Sequence, residues 1–333
     1  MRITIVTDAW KPQVNGVVRT LGRTSDELRS RGHAVDIVSP LDFKSLPCPT
    51  YPEIRLSLNV WHIDRRLADL APDAVHIATE GPLGWAARRW CLRRGYAFTT
   101  AYHTRFPEYV GLRFAVPLGV SYALLRRFHD AAARVMVATP SIERDLRERG
   151  FKNLARWSRG VDTDIFRPGE RDWLDLPRPI FLHVGRVAVE KNIKAFLDLD
   201  LPGSKLVIGD GPQLEELRRE YPGVVFTGLL DEAELARHYA AADVFVFPSK
   251  TDTFGLVLLE ALASGVPVAA YPAPGPIDVL GDAPVGAIDE DLRSAALRAL
   301  DAKSGECRAH ALRYSWAAAT DQFLSTLAPI GSA

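Results

Sequence analysis

The chain is poor in cysteine. Its 333 residues hold three, Cys48, Cys91 and Cys307. An odd number without close spacing suggests neither a disulfide framework nor a zinc site, and a reducing, cytoplasmic setting is expected. Net charge is missing as well, with 41 Lys and Arg against 41 Asp and Glu. No apolar run approaches the roughly 18 residues that a membrane-spanning helix needs. The N-terminal run from Ile3 to Val6 is also too short for a secretion signal. Any meeting with a membrane is therefore expected from outside the bilayer core. Internal repeats and low-complexity tracts are absent too. What remains is 47% hydrophobic residues, in a chain longer than one core usually supports, so two domains are expected.

The overall neutrality hides an asymmetry. Residues 1–165 carry 25 Lys and Arg against 17 Asp and Glu, and the rest of the chain carries 16 against 24. The halves face different partners. Basic residues also meet aromatics from Trp85 to Tyr96 and from Tyr122 to Phe128, a pattern that suits anionic headgroups.

Short apolar runs alternate with amphipathic segments. In the first half the spacing predicts strands at Ile3 to Val6, Ala34 to Val38, Ala74 to Ala78, Ala97 to Thr100 and Val135 to Ala138, with helical periodicity between them, as at Val17, Val18, Leu21 and Leu28. A polar, proline-flanked stretch from Pro168 to Pro179 reads as a linker. Alternation then resumes at Ile180 to Val184, Lys205 to Ile208, Val224 to Thr227 and Val244 to Phe247. This is the pattern of an α/β protein with parallel sheets covered on both faces, in which ligands gather at the carboxyl ends of strands.

The most informative stretch is Phe247 to Val268. An apolar run passes through the turn Lys250-Thr251-Asp252-Thr253 into a helix marked by Leu256, Leu259 and Ala263, which stops at Ser264-Gly265. Asp252 and Glu260 would stand roughly 12 Å apart along a helix. That is too far for two carboxylates to flank one glycosidic bond, which requires about 5 to 9.5 Å. The spacing suits a long ligand with a polyhydroxy group at each end and phosphates between, over the backbone N–H groups of Thr253, Phe254 and Gly255. In the loop after Val184, Arg186 and Lys191 are two cations beside a helix start, able to neutralise a diphosphate leaving group without a metal. Asn15-Gly16 before the first helix lets backbone approach an anion. His103 follows a strand end. Asp162-Thr-Asp164 has the spacing of a metal-binding Asp-x-Asp pair, but the resemblance described next implies that it lies in an interdomain passage instead.

These residues resemble a known family. Phe247 to Val268 is similar to the Glu-x7-Glu signature of retaining glycosyltransferases of family 4, with Asp252 in place of the first Glu. Val184-Gly185-Arg186-x4-Lys191-Asn192 resembles the family's pyrophosphate site, and Tyr102-His103-Thr-Arg-Phe-Pro-Glu-Tyr109 resembles its lipid-directed branch, which includes sulfolipid synthase-like, diacylglycerol-glycosylating and mannosyl-lipid enzymes. The resemblance implies a GT-B fold of two facing Rossmann-like domains: an acceptor domain at 1–167, a nucleotide-sugar domain at 168–313, and a helix at 314–333 returning to the first. It implies catalytic roles for His103, Arg186, Lys191 and Asp252. Donor binding falls to Gly16, Gly185, Gly209, Gly211, Gly228, Thr253, Phe254, Gly255 and Glu260, and the acceptor side to Asn15, Arg105 and Tyr109.

The implied reaction moves a hexosyl group, with retention, from a nucleotide-sugar to a lipid such as diacylglycerol. UDP-glucose, UDP-glucuronate or UDP-galactose is the first expectation and GDP-mannose the second. Neither a cofactor nor a metal is expected, nor a nucleic-acid partner. The basic half is expected to touch an anionic membrane, placing the protein on the inner face of the cell membrane. The rivals are a sugar-nucleotide 2-epimerase and an inactive nucleotide-sugar-binding module.

Overall fold

The computed structural model describes residues 1–48, 51–108 and 117–331. The chain divides into two compact units, Met1–Ser158 with Trp316–Ala333, and Arg159–Ser315.

The first unit contains β1 (Arg2–Val6), β2 (Ala34–Val38), β3 (Ser45–Cys48), β4 (Tyr51–Ser57), β5 (Ala74–Ile77), β6 (Thr99–Tyr102), β7 (Arg134–Val137) and β8 (Leu154–Arg156). Its main sheet has the order β2-β1-β5-β6-β7-β8, and every pair is parallel. Between the strands run α1 (Gly16–Ser30), α2 (Ile63–Leu70), α3 (Pro82–Arg94), α4 (Leu118–His129) and α5 (Pro140–Glu148). α1 starts where it does because the Asn15 side chain accepts the N–H groups of Val17 and Val18, both at 3.0 Å. Its buried face, with Leu21 and Leu28, then lies against Ile3 and Ile5 of β1.

Two features depart from the sequence reading. β6 runs to Tyr102 rather than stopping at Thr100, because Ala101 and Tyr102 continue the register with Met136 and Val137 of β7. β3 and β4 form a separate antiparallel hairpin that Pro47, Pro49 and Pro52 concealed, since proline argues against strands.

The second unit contains β9 (Ile180–Val184), β10 (Ser204–Ile208), β11 (Val225–Gly228), β12 (Val244–Phe247), β13 (Val268–Ala270) and β14 (Gly286–Ile288). Their order is β11-β10-β9-β12-β13-β14, again all parallel. The covering helices are α6 (Ile193–Leu197), α7 (Leu214–Glu220), α8 (Glu232–Ala241), α9 (Leu256–Ala263), α10 (Pro274–Leu280), α11 (Leu292–Ala299) and α12 (Ser304–Ala311). The order of strands reverses between β9 and β12, and the loops leaving those two strands flank the place where such sheets bind ligands. β9 and β12 are buried along their whole length, as strands covered on both faces must be.

The chain ends in the first unit. α13 (Trp316–Thr326) packs on α1, with Arg31 reaching Asp321 and, at 2.9 Å, the Ala317 carbonyl. Among the described residues no helix is long and apolar enough to cross a membrane. Cys91 and Cys307 are free and buried.

Candidate active site

In the second unit the loops after β9 and β12 are stitched together. Lys191 Nζ donates to Asp252 Oδ1 at 2.5 Å. The Asn192 side chain donates to the Pro248 carbonyl at 3.1 Å, and the Thr251 hydroxyl to the Glu190 carbonyl at 3.1 Å. The ion pair keeps contact with solvent, its side chains being 20% and 18% exposed. Burial alone would push the Asp252 carboxyl up. The Lys191 ammonium, with its hydrogen bond and that of Ser249, more than offsets this and holds it below the ordinary carboxylate value.

Behind the pair stands His183 on β9, 1% exposed. Its Nδ1 donates to the Val246 carbonyl at 3.0 Å, which fixes the tautomer. Burial first, and the nearby Lys191 second, bring its pKa down to about 4. The imidazole is therefore neutral at physiological pH, and it adds no positive charge to compete with Lys191. Arg186 lies half-buried in the same loop as Lys191.

Several of the glycines assigned to the donor have packing reasons of their own. A Cβ on Gly209, whose φ is +139°, would stand 1.9 Å from the Gly185 carbonyl oxygen, and one on Gly211 would stand 2.3 Å from that of Val187. Only bare backbone lets the turn after β10 press this closely against the loop holding Arg186. A Cβ on Gly185 would sit 3.3 Å from His183 Nε2. Gly228 ends β11 with open space around its Cα.

Asp252 does not cap α9, because the N-cap is Gly255, at φ +84°, which makes no side-chain cap hydrogen bond. Of the first-turn N–H groups, that of Leu258 donates to the Gly255 carbonyl at 3.0 Å. Thr253 and Phe254 just before the cap are 8% and 5% exposed. Glu260 is 3% exposed in α9 and accepts the Tyr239 hydroxyl of α8 at 3.1 Å. The two carboxylates thus have different neighbours, Asp252 a cation and Glu260 a phenol, as separate tasks would require.

In the first unit, Gly16 is the exposed first residue of α1, while the Asn15 side-chain oxygen is occupied as its cap. Asp8, at the end of β1, is a carboxylate the sequence reading passed over. It accepts Leu83 N at 2.9 Å, Gly84 N at 3.3 Å and the Thr79 hydroxyl at 2.9 Å, and so closes the start of α3. Burial raises its pKa despite those bonds. His103 follows β6, half-exposed.

Arg105 is only 16% exposed and paired to Glu108 at 2.8 Å, and Glu108 also accepts the Tyr122 hydroxyl at 2.7 Å. Arg105 thereby braces the loop against α4. Tyr109 lies outside the described residues. Asp162 Oδ1 accepts the N–H groups of Asp164 and Ile165, both at 3.2 Å, which is a turn.

The basic-aromatic segments also have structural work. Trp90 is 2% exposed under the Arg94 guanidinium, and Arg88 donates to the last carbonyls of α4, Phe128 and Arg127, both at 2.9 Å.

Two units of this topology, with a charged pair at the switch point of the second, are the architecture of GT-B glycosyltransferases. Residues 14–165 match the family described as Glycosyltransferase Family 4, and residues 178–301 the one described as Glycosyl transferases group 1. The chain is 30% identical over 84% of its length, and 81% of the relative, to the GDP-mannose-dependent alpha-mannosyltransferase of Mycobacterium tuberculosis. It is 30% identical over 90% of its length, and 78% of the relative, to the alpha-monoglucosyldiacylglycerol synthase of Streptococcus pneumoniae. Over 71% of its length it is 34% identical to the sulfoquinovosyl transferase SQD2 of Arabidopsis thaliana, spanning 50% of that protein. The sucrose-phosphate synthase of Thermosynechococcus elongatus has the same fold, with a TM-score of 0.80 at 23% identity and 97% of both chains covered. The chain belongs to glycosyltransferase family 4.

Proposed function

We propose that this glycosyltransferase moves a hexosyl group from a nucleotide-sugar to a lipid acceptor such as diacylglycerol, with retention of configuration and without a metal. The observation that carries the reading is the Lys191–Asp252 pair at the switch point of the second unit. An ammonium has three N–H donors, so Lys191 can serve Asp252 and still hold a diphosphate oxygen. Asp252 is then assigned to a sugar hydroxyl, and Glu260, held by Tyr239, to the ribose.

In the reaction the bond from the anomeric carbon to the diphosphate oxygen breaks. The acceptor oxygen bonds to that carbon from the same face, and its proton passes to the departing phosphate oxygen. Arg186, Lys191 and the N-terminus of α9 stabilise the negative charge as it develops. His103 is assigned to the sugar.

A UDP-hexose is the first choice of donor. GDP-mannose is the second, favoured by the relatives from Mycobacterium tuberculosis and Mycolicibacterium smegmatis, the latter 32% identical over 86% of this chain. Membrane contact is assigned to the exposed Val120, Leu124 and Arg127 of α4 with Arg89 and Leu92 of α3, a basic and apolar mixture suited to an anionic bilayer. The test is purified protein with radiolabelled UDP- and GDP-sugars, diacylglycerol vesicles and EDTA. Labelled glycolipid forming at an undiminished rate in EDTA is the expected result. Donor converted equally with and without lipid would instead indicate an epimerase.

A further inference from the structure

His103 rests on an aromatic stack that the proposed chemistry does not use. Trp157 follows β8, is fully buried, and donates its backbone N–H to Val137 of β7 at 2.9 Å. The His103 and Trp157 rings meet edge-on, with centroids 5.5 Å apart and planes at 68°. Behind the indole lies Phe323 of α13, 4.9 Å away, and Phe323 in turn meets His76 of β5 at 5.0 Å. His76 also meets the indole directly, at 5.6 Å and 88°, and is held by the Thr99 hydroxyl at 2.9 Å. The indole is thus packed on one side against Phe323 and His76, and on the side of the strand-end loop it meets His103. α13 closes the arrangement from outside, since its Gln322 side chain accepts Ser158 N at 2.7 Å.

We propose that Trp157, backed by Phe323, is the positioning residue that sets where the His103 imidazole stands. Edge-on aromatic pairs have preferred geometries beyond simple burial. Shrinking the indole gives His103 room to turn, and misplacement by about 1 Å at a reacting centre costs up to roughly a hundredfold in rate. The consequence for the enzyme rests on the assignment of His103 to the sugar, whereas the positioning itself does not.

The experiment uses the full chain labelled at histidine rings, with His103→Gln identifying the His103 resonance. Trp157→Phe and Phe323→Leu are compared with Trp90→Phe, which alters a buried indole elsewhere in the same unit. Transfer is measured with UDP-glucose and GDP-mannose as donors. The expected result is a displaced His103 resonance in Trp157→Phe and, to a smaller degree, in Phe323→Leu, but not in Trp90→Phe. Alongside it, kcat for Trp157→Phe should fall roughly tenfold with little change in KM, and the Trp157→Phe loss should vanish in a His103→Gln background. An unmoved His103 resonance, or losses that multiply in the double variant, would overturn the proposal. A displaced resonance together with a wild-type rate for His103→Gln would uphold the positioning and remove His103 from the proposed catalytic site.

Discussion

Asp8 follows β1 and Asp252 follows β12, so the two stand on opposite sides of the switch point in their respective sheets. Each follows a strand beside which the sheet order reverses, and each is largely buried, yet their carboxyls are displaced in opposite directions. Asp8 spends its lone pairs on two backbone N–H groups and a hydroxyl at the start of α3, and burial raises its pKa. Asp252 faces Lys191 and is held low. The same fold has used one switch-point carboxylate to close a helix and left the other charged and reachable. A buried acid marks a functional site only when its partner is itself able to bind a ligand.

The comparison can be broken at its strongest point by Lys191→Ala. This change leaves Asp252 without its cation and the diphosphate without a donor, so kcat should fall about a hundredfold or more with the fold retained. A wild-type rate would remove the second unit's loop from the chemistry. Asp252→Asn keeps the shape and loses the charge, and transfer should drop by about tenfold to a hundredfold. Asp8→Ala should act on stability, costing about 2 kcal/mol in urea unfolding because buried donors lose their acceptor, while the folded enzyme keeps most of its rate.

The pH dependence of unfolding sharpens the contrast. Asp252, lowered from 3.8, stabilises the fold above the unfolded value, and that contribution is lost as pH falls through its lower folded value. Asp8, raised from 3.8, acts in reverse, its ionisation eroding stability as pH climbs above 3.8. Asp252→Asn should therefore flatten the curve below 3.8, and Asp8→Asn should flatten it above. The smallest effect is expected at the membrane face. Arg127→Glu should weaken binding to anionic vesicles roughly fivefold for each unit of charge, about 1 kcal/mol, without changing the rate on a water-soluble acceptor.

Much of this was legible in the chain. The α9 segment shows in the spacing of Leu256, Leu259 and Ala263 because one face of a helix must be apolar, and Gly265 marks its end with φ +77°. Strands such as β9 and β12 show as continuous apolar runs because both of their faces are covered. The β3–β4 hairpin did not show, since its prolines speak against strands. Nor did β14, whose three residues begin with a glycine. At the site, Lys191 and Asp252 were each readable as candidates, but their pairing was not, because 61 residues separate them. Tyr239 carried no signal at all. His183 carried a weak one, as the single titratable residue in an otherwise apolar strand.

Periodicity, turn residues and short motifs act over a few neighbouring positions, and for that reason the sequence by itself determined the alternating α/β architecture, the family and the candidate residues. Which carboxylate meets a cation, which arginine is consumed as a brace, and which rings stand behind His103 were decided only when parallel strands brought distant loops to one sheet end. Those outcomes depend on burial and on contacts across many tens of residues, which no local pattern encodes.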